Sequence, residues 1–338
     1  MERSRVFLLV LLALLLITSL SSLSTGPLPF GIHQLLHLEP LSATEQLVLL
    51  HIRLPRTLLC LGVGATLAIC GAIMQGLFRN PLADPGIIGV SGGAALGAAL
   101  SMVVLAPYAA LLPDWLGASL TSMMAFIGGL VITLVIYKLA HTAQGTSVSI
   151  LLLAGVAIAA LTGGILGLLN YLADDQTLRD LSLWQMGSMA KTDFYQLVLV
   201  LATTLLLIVL LRRHAHALNA LALGEAEAGH LGIDVQSLKR RLVLLAAIAV
   251  GVSVAAVGII GFVGLVVPHL VRLVVGPDHR RLLPLSALLG AWLLLIADML
   301  ARTVAAPAEM PVGIVTALLG SPFFLWLLLK QKRGIGLA

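Results

Sequence analysis

Residues 74–94 read MQGLFRNPLADPGIIGVSGGA and separate two strongly apolar runs. Pro81 and Pro85 follow each other closely here, and each lacks a backbone N–H and restricts the residue before it. Asn80 and Asp84 precede these prolines, so the segment is predicted to be a polar turn that ends one helix. Four glycines follow in an apolar, helix-like run: Gly86, Gly89, Gly92 and Gly93. Such small residues favour close backbone contact between membrane helices.

The composition of the whole chain is that of a polytopic membrane protein. Of its 338 residues, 59% are hydrophobic and only 10% are charged, and the mean hydropathy is +1.08. These values exclude a water-soluble globular protein. Spans of about 20 residues with short connections allow about ten helices and leave no long polar stretch for a soluble domain. We therefore expect one all-α transmembrane domain over residues 1–338.

Apolar runs and helix breakers predict ten spans. They are expected near residues 6–24, 56–78, 87–106, 115–139, 147–171, 193–212, 239–257, 261–275, 282–302 and 312–330. The eighth is short and is interrupted near Pro268 and His269, so it is expected to cross only part of the membrane. Arg3 and Arg5 before the first run also fit a cleaved signal peptide, but no A-x-A-like site follows and a retained helix is favoured.

The basic residues predict how the helices are oriented. Ten spans return both termini to one side, and five of the twenty Lys and Arg fall on the other side: Arg53, Arg56, Arg179, Lys191 and Arg302. The remaining fifteen lie on the side of the termini, and the positive-inside rule makes that side the cytoplasm. No basic patch with interleaved aromatic residues points to nucleic-acid binding.

The block at residues 74–94 resembles the signature of the FecCD, or vitamin B12, type of permease subunits of ABC importers for iron-siderophore complexes, heme and cobalamin. The resemblance extends over nearly the whole chain. It implies a type II ABC importer permease of the bacterial inner membrane, with inverted five-helix repeats. It also implies a homodimer that works with two ATPase subunits and a periplasmic substrate-binding protein.

Two features of the sequence agree with this family. A faint echo between Gly62–Gly71 and Gly251–Gly261 lies five helices apart, and an odd separation inverts one repeat across the membrane. The chain has no G-x-x-x-x-G-K-[ST] loop to bind a nucleotide, so any ATP is expected to be bound and hydrolysed on the partner subunit. The chain itself is therefore not expected to be an enzyme, and no covalent cofactor is expected.

The connection between the sixth and seventh helices, at about residues 213–238, contains LALGEAEAGHLGID at Leu221–Asp234. This segment is predicted to be helical and amphipathic, although its composition alone also fits a solvated linker. The resemblance implies that it is the coupling helix, which sits in a cleft of the ATPase subunit. The residues implied are Gly224, Glu225, Ala228, Leu231 and Gly232.

Arginines are scarce on the predicted outer side. Arg53 and Arg56, in the sequence RLPR, precede the second helix, and Arg302 ends the ninth. They are either interfacial side chains, with Arg302 paired to Asp298 one turn earlier, or a docking site. The resemblance implies that all three bind glutamates of the binding protein, and planar guanidinium groups suit such contacts. A proton relay at Asp298 is disfavoured, because pairing with Arg302 or partial hydration accounts for it.

The resemblance also implies a translocation path and a cytoplasmic gate. It places the fifth helix beside the path and the gate in the loop between the fourth and fifth helices. The implied residues are Asn80, Leu82, Gly145, Thr146, Ser147, Ser149, Gly155 and Gly163. The glycines of the fifth helix, which include Gly164 and Gly167, fit tight helix packing equally well.

The transported ligand is expected to be heme, because the segment LFRNPLADPGIIGVSGGA is most similar to that of heme permeases of the family. Ferric-siderophore permeases come next, and cobalamin permeases third. Few charges lie within the predicted spans, which agrees with a bulky apolar ligand. Metal or heme ligation is conceivable for His33 and His37, which stand four residues apart, with His51 as a third ligand. Because Pro40 lies between His37 and His51, an ordinary outer loop is favoured. No metal site is therefore predicted.

Three other functions remain open. An ion-coupled secondary transporter would need buried ionisable pairs, and the sequence shows only Asp298. An intramembrane enzyme would need paired acids or a histidine cluster within the spans, and the sequence shows neither. A membrane sensor that does not transport is the third, and loss of ATPase coupling would favour it.

Overall fold

The computed structural model describes residues 2–26, 42–109, 111–142, 145–190 and 193–334. The helices are α1 (Glu2–Ser24), α2 (Ala43–Val48), α3 (Leu54–Leu77), α4 (Val90–Ala99), α5 (Ala106–Ala109), α6 (Asp114–Ala140), α7 (Val148–Leu172), α8 (Asp175–Gln185), α9 (Phe194–Leu223), α10 (Glu225–His230), α11 (Val235–Val257), α12 (Val263–Val275), α13 (His279–Val304) and α14 (Val312–Gly334). The strands β1 (His141–Thr142) and β2 (Gly145–Thr146) form an antiparallel hairpin. Two π-helical turns, Leu49–Arg53 and Leu100–Leu105, join α2 to α3 and α4 to α5, and Pro85–Ile88 is a 3₁₀ turn.

The ten predicted spans correspond to ten helical segments, and the all-α fold is confirmed. Within the described residues, eight segments are long and apolar enough to cross a membrane, and Val263–Val275 and Val312–Trp326 are shorter apolar helices. The helix α12 has 13 residues, which span about 20 Å, less than the hydrocarbon core of about 30 Å. It is short, as predicted, but it continues through Pro268 to Val275 instead of breaking there.

Helix α3 lies at the centre of the bundle. In the most apolar stretch of 18 residues within Ala43–Leu77, 89% of the residues are buried. Helix α3 packs against α9, α11, α12 and α13. Glycines stand where the other helices cross it: Gly64 faces Gly290 of α13, and Gly71 faces Gly264 of α12. Because lipid is as apolar as leucine, such close backbone contact is what holds membrane helices together.

The contacts between helices follow the five-helix repeat. The second span, α3, packs on the ninth, α13, in the way that the seventh, α11, packs on the fourth, α6. The third and fourth spans, α4 and α6, also pack together, as do the eighth and ninth, α12 and α13. Spans one to five of the first repeat correspond to spans six to ten of the second, so exchanging each span for its counterpart five positions away converts one set of contacts into the other, as inverted repeats require.

Two helix boundaries differ from the prediction for clear physical reasons. The third span begins at Val90 and not at 87, because Asp84 caps the 3₁₀ turn by accepting from Gly86 N at 2.7 Å and Gly89 then adopts a φ of 84°. Helix α9 extends to Leu223 and not to 212. The polar residues after 211 end the apolar run, but Asn219 there donates to Asp278 at 2.7 Å and so packs against the start of α13.

We expect the central crossings of α3 to tolerate no side chain. A Cβ at Gly64 would lie 2.8 Å from the Gly290 carbonyl carbon and 2.9 Å from Leu294 Cβ. Gly64→Ala should therefore lower the free energy of unfolding by about 1–3 kcal/mol, measured by SDS titration in mixed micelles. Gly261→Ala, where a Cβ would meet no atom within 4 Å, is the control and should change it by no more than about 1 kcal/mol. Equal effects would contradict the proposed role of the crossing.

Candidate functional site

Four charged residues meet where α3, α13 and the segment after α13 come together, and we name them the outer charge cluster after the orientation predicted from the sequence: Arg56, Asp298, Arg302 and Glu309. Arg56 Nε and Nη2 donate to Asp298 Oδ1 at 3.1 and 2.9 Å, and its Nη1 donates to Glu309 Oε2 at 2.9 Å. Arg302 Nε lies 3.4 Å from Asp298 Oδ2. Asp298 is 1% exposed and Arg56 7%, whereas the side chain of Glu309 is 43% exposed. The carboxylate of Asp298 is thus enclosed between two guanidinium groups.

Two arginines, Arg53 and Arg302, bind the end of α1. Arg302 Nη2 donates to Ser22 Oγ at 2.7 Å, and Arg302 Nη1 donates to Thr25 O at 3.2 Å. Arg53 Nη1 donates to Leu23 O at 2.8 Å. The last carbonyls of a helix lack partners within the helix and carry partial negative charge, so cations are favoured there. These contacts fix α1 against the core of the bundle.

The structure brings the three predicted docking arginines together at one end of the molecule. Arg53, Arg56 and Arg302 are only 4–7% exposed, so they are not snorkelling side chains. The predicted pairing of Arg302 with Asp298 is present, and Asp298 is only 1% exposed. The bonds from Arg56 to Asp298 and Glu309 were not predicted, since these residues lie 242 and 253 positions away. Docking of a partner by these arginines stays a prediction.

The predicted coupling segment contains the six-residue helix α10 between two glycines of positive φ. Gly224 has a φ of 144° and Gly232 a φ of 81°, which other residues rarely adopt. Ala228 is fully buried and accepts from Ile233 N at 3.1 Å, whereas Leu231 is 65% exposed. Only residues 224–234 lie outside the long helices, a shorter connection than the expected 213–238. An apolar side chain is thereby presented at the surface of a short helix.

The predicted gate residues occupy two separate segments. Gly145 and Thr146 form β2, Ser147 caps α7 by accepting from Ile150 N at 3.4 Å, and Ser149 is exposed on the first turn. Asn80 and Leu82 lie in the turn after α3, where Asn80 Oδ1 accepts from Leu82 N at 2.9 Å.

Asp84, in the same turn after α3, is also partly enclosed. Burial raises the pKa of Asp84, and the hydrogen bond from Gly86 N opposes this change. The turn is therefore held by side chains that bond to their own backbone.

The glycines of α7 have two different environments. A Cβ at Gly155 would lie 2.5 Å from the Ile87 carbonyl oxygen, so this glycine lets α7 pack against the 3₁₀ turn. Gly163, Gly164 and Gly167 have no atom within 4 Å of where a Cβ would stand. Tight packing within the chain therefore explains Gly155 and leaves the other three without a partner in this chain.

The described residues offer no metal site. No group of three or more His, Cys, Asp or Glu within them could hold a metal ion. His51 is exposed, and His33 and His37 lie outside the described residues.

Comparison with known proteins assigns the family. The model of the FecCD transport family matches residues 13–330. The chain belongs to the FecCD transport family. The hemin transport system permease protein HmuU of Yersinia pestis is 48% identical over 329 residues, 97% of each chain. The vitamin B12 import system permease protein BtuC of Klebsiella pneumoniae is 43% identical over 333 residues, 98% of this chain and 96% of that protein.

A solved structure supports the same assignment at the level of the fold. It shows an ABC transporter assigned to the metal-chelate type in an inward-facing conformation, with a TM-score of 0.83 and 33% identity over 96% of this chain and 98% of the other. As a FecCD permease, the chain is the membrane-spanning subunit of an ABC importer. ATP hydrolysis belongs to a separate subunit in this family, so the chain is not itself an enzyme.

We expect the outer charge cluster to be needed for the fold of the FecCD permease. Arg56→Met would remove the shortest charged contacts of the nearly inaccessible Asp298 and leave it the longer one to Arg302, and breaking a buried pair costs about 3–5 kcal/mol. Arg179→Met, at an exposed position of α8, is the matched control and should have little effect. Thermal unfolding of the purified chain in detergent measures both, and an unchanged midpoint for Arg56→Met would refute this role.

Proposed function

We propose that this FecCD permease carries heme from the periplasm to the cytoplasm. The observation that supports heme is the 48% identity with a hemin permease over nearly the full length of both chains. The 43% identity with a vitamin B12 permease keeps cobalamin as the second candidate, and a ferric siderophore is the third. All three ligands are large chelates, which the same type of permease transports by alternating access.

We further propose that α10 is the coupling helix that contacts the ATPase subunit. Glu227 on this short helix and Leu231 directly after it are exposed, and Gly224 and Gly232 flank them. Binding of ATP would draw two ATPase subunits together and move α10, which shifts the population between outward-open and inward-open states. The predicted gate residues Thr146 and Ser147 lie on the same face as α10, since Lys239 contacts both Thr146 and Glu225.

We also propose the orientation of the chain. The face that holds α10 and the β hairpin, where α1 begins and α14 ends, is proposed to be cytoplasmic, in agreement with its excess of basic residues. The outer charge cluster then faces the periplasm, where we propose that a substrate-binding protein docks. Arg56 is already bonded to Glu309 in this structure, so a carboxylate of the partner would have to displace Glu309 to reach it.

A homodimer is proposed from the exposed face of α7. Leu153 and Val156 are each 71% exposed, and Gly163, Gly164 and Gly167 leave the backbone of α7 uncovered. Small residues on a membrane helix allow a second helix to approach closely. A second copy of this chain would cover this face and place the two α7 helices beside a shared path.

The proposed function is tested by uptake into proteoliposomes that contain this chain, its candidate ATPase and its candidate binding protein. We expect ATP-dependent uptake of heme in preference to ferric siderophore and cobalamin. Leu231→Asp should reduce both uptake and co-purification of the ATPase about tenfold or more, because it puts a charge into an apolar contact. Leu111→Asp, which is 80% exposed at the other end of the bundle, is the control.

Each result of this assay has a distinct meaning. Selective uptake of cobalamin or a siderophore would keep the importer and reject heme. Uptake that needs neither ATP nor the ATPase would reject the ABC importer and favour an ion-coupled transporter. Equal loss of ATPase co-purification in Leu231→Asp and Leu111→Asp would reject α10 as the docking helix.

The homodimer can be tested on the chain alone. Gly163→Phe should convert the dimer into a folded monomer, because no atom of this chain lies within 4 Å of the new Cβ and the ring would block a second helix. Val198→Phe, on the exposed face of α9, should leave the dimer intact. Native mass spectrometry from detergent or nanodiscs distinguishes these states, and a Gly163→Phe dimer would place the interface elsewhere.

A further inference from the structure

One buried lysine joins the coupling helix to the predicted gate. Lys239 lies in the second turn of α11 and is 3% exposed, whereas its neighbours Arg240 and Arg241 are exposed. Its Nζ donates to Glu225 Oε1 at 2.6 Å and to the Thr146 carbonyl oxygen at 3.1 Å. Glu225 is the first residue of α10, and Thr146 is the last residue of β2. A single ammonium group thus bonds to both segments.

A second residue of α11 holds the same strand. Gln236, one turn before Lys239 and on the same side of the helix, accepts from Thr146 N at 2.9 Å through Oε1. Gly145 has a φ of 111°, and a Cβ there would lie 2.5 Å from the Gln236 side-chain carbonyl carbon. Thr146 Oγ1 also donates to the Tyr137 hydroxyl at 3.2 Å. Both backbone polar groups of Thr146 are therefore bonded to side chains of α11.

The energetics make this connection stiff. A buried ammonium group is costly unless it is paired, and removal of one partner leaves the charge uncompensated. If α10 moves away from α11, the Lys239 side chain has two alternatives. It can follow Glu225 and release Thr146, or it can stay with Thr146 and lose Glu225, the carboxylate to which it is bonded. Movement of α10 without a change at the hairpin is therefore unfavourable.

We propose that Lys239 is a positioning residue that transmits movement of α10 to the β1–β2 hairpin, and so couples ATP hydrolysis to the gate. This inference rests on the proposed function, in which α10 receives the movement of the ATPase. Gly145 and Thr146 are the predicted gate residues in the hairpin. Within the described residues, the bonds that connect them to α10 pass through Lys239. The exposed arginines beside Lys239 make no such connection and serve as matched controls.

The first experiment tests the connection on the purified chain in nanodiscs, without any partner. Spin labels at Ala226→Cys and Ile150→Cys, both exposed, report the distance between α10 and the start of α7 by double electron–electron resonance. Both native cysteines are buried. We expect Lys239→Met to broaden the distance distribution and Lys239→Arg to retain a narrow one. Arg240→Met should match the parent, and a narrow distribution in Lys239→Met would overturn the proposal.

The second experiment measures coupling in proteoliposomes with the ATPase and the binding protein. We expect Lys239→Met to lower heme uptake per ATP hydrolysed about tenfold, a factor in the usual range of coupling between two sites. The rate of hydrolysis should remain within about twofold, because the exposed surface of α10 is unchanged. Lys239→Arg should restore the ratio, and Arg240→Met should leave it unaltered.

The outcomes separate the proposal from the function on which it rests. Equal loss of uptake and hydrolysis in Lys239→Met would show that Lys239 only shapes the docking surface, and would overturn its role in coupling. A parental ratio in Lys239→Met would do the same. Absence of ATP-dependent uptake in the parent would reject the proposed function, while the spin-label distances would still decide whether Lys239 connects α10 to the hairpin.

Discussion

Helix α3 is enclosed by protein along most of its length, and this enclosure requires glycine where other helices cross it. Gly64 and Gly71 bring the backbones of α13 and α12 against α3. A bilayer provides no hydrophobic force to press helices together, so the stability of the bundle depends on such close packing. The crossing at Gly64 also sets the position of α13, which carries Asp298, and α3 packs as well against α11, which carries Lys239. The charged sites at the two faces therefore depend on the packing in the middle.

The buried charges lie at opposite ends of this rigid core, and they have different partners. At the outer end, Asp298 is shared by Arg56 and Arg302, and Arg302 also binds carbonyls at the end of α1. At the inner end, Lys239 is shared by Glu225 and Thr146. One charged group that bonds to several elements holds them together. This arrangement suits a subunit that, as we propose, relays movement between partners. Asp298 is neutralised within its cluster, which agrees with an importer driven by a separate ATPase better than with a proton relay.

The prediction from sequence succeeded where the physical signal was local. Apolar runs of the length of a membrane span located ten helices, and Pro81, Pro85 and the glycines after them marked the turn between α3 and α4. The extension of α9 to Leu223 was missed because its polar residues resemble a loop. One of them, Asn219, bonds to Asp278, which lies far away in the sequence. The hairpin β1–β2 was missed because four residues carry too little pattern to predict a strand pair.

The sequence by itself determined that this chain is an all-helical membrane protein of the FecCD type, with short connections and most of its positive charges on one face. Span length, hydropathy and charge distribution depend only on neighbouring residues. The tertiary structure alone decided which charges meet: Arg56 pairs with Asp298 and Glu309, and Lys239 lies buried while the adjacent Arg240 and Arg241 do not. The run KRR at 239–241 looks uniform in sequence, and only the orientation of α11 against α10 and β2 separates its first residue from the other two. That orientation results from contacts between residues far apart in the chain, which no local pattern records.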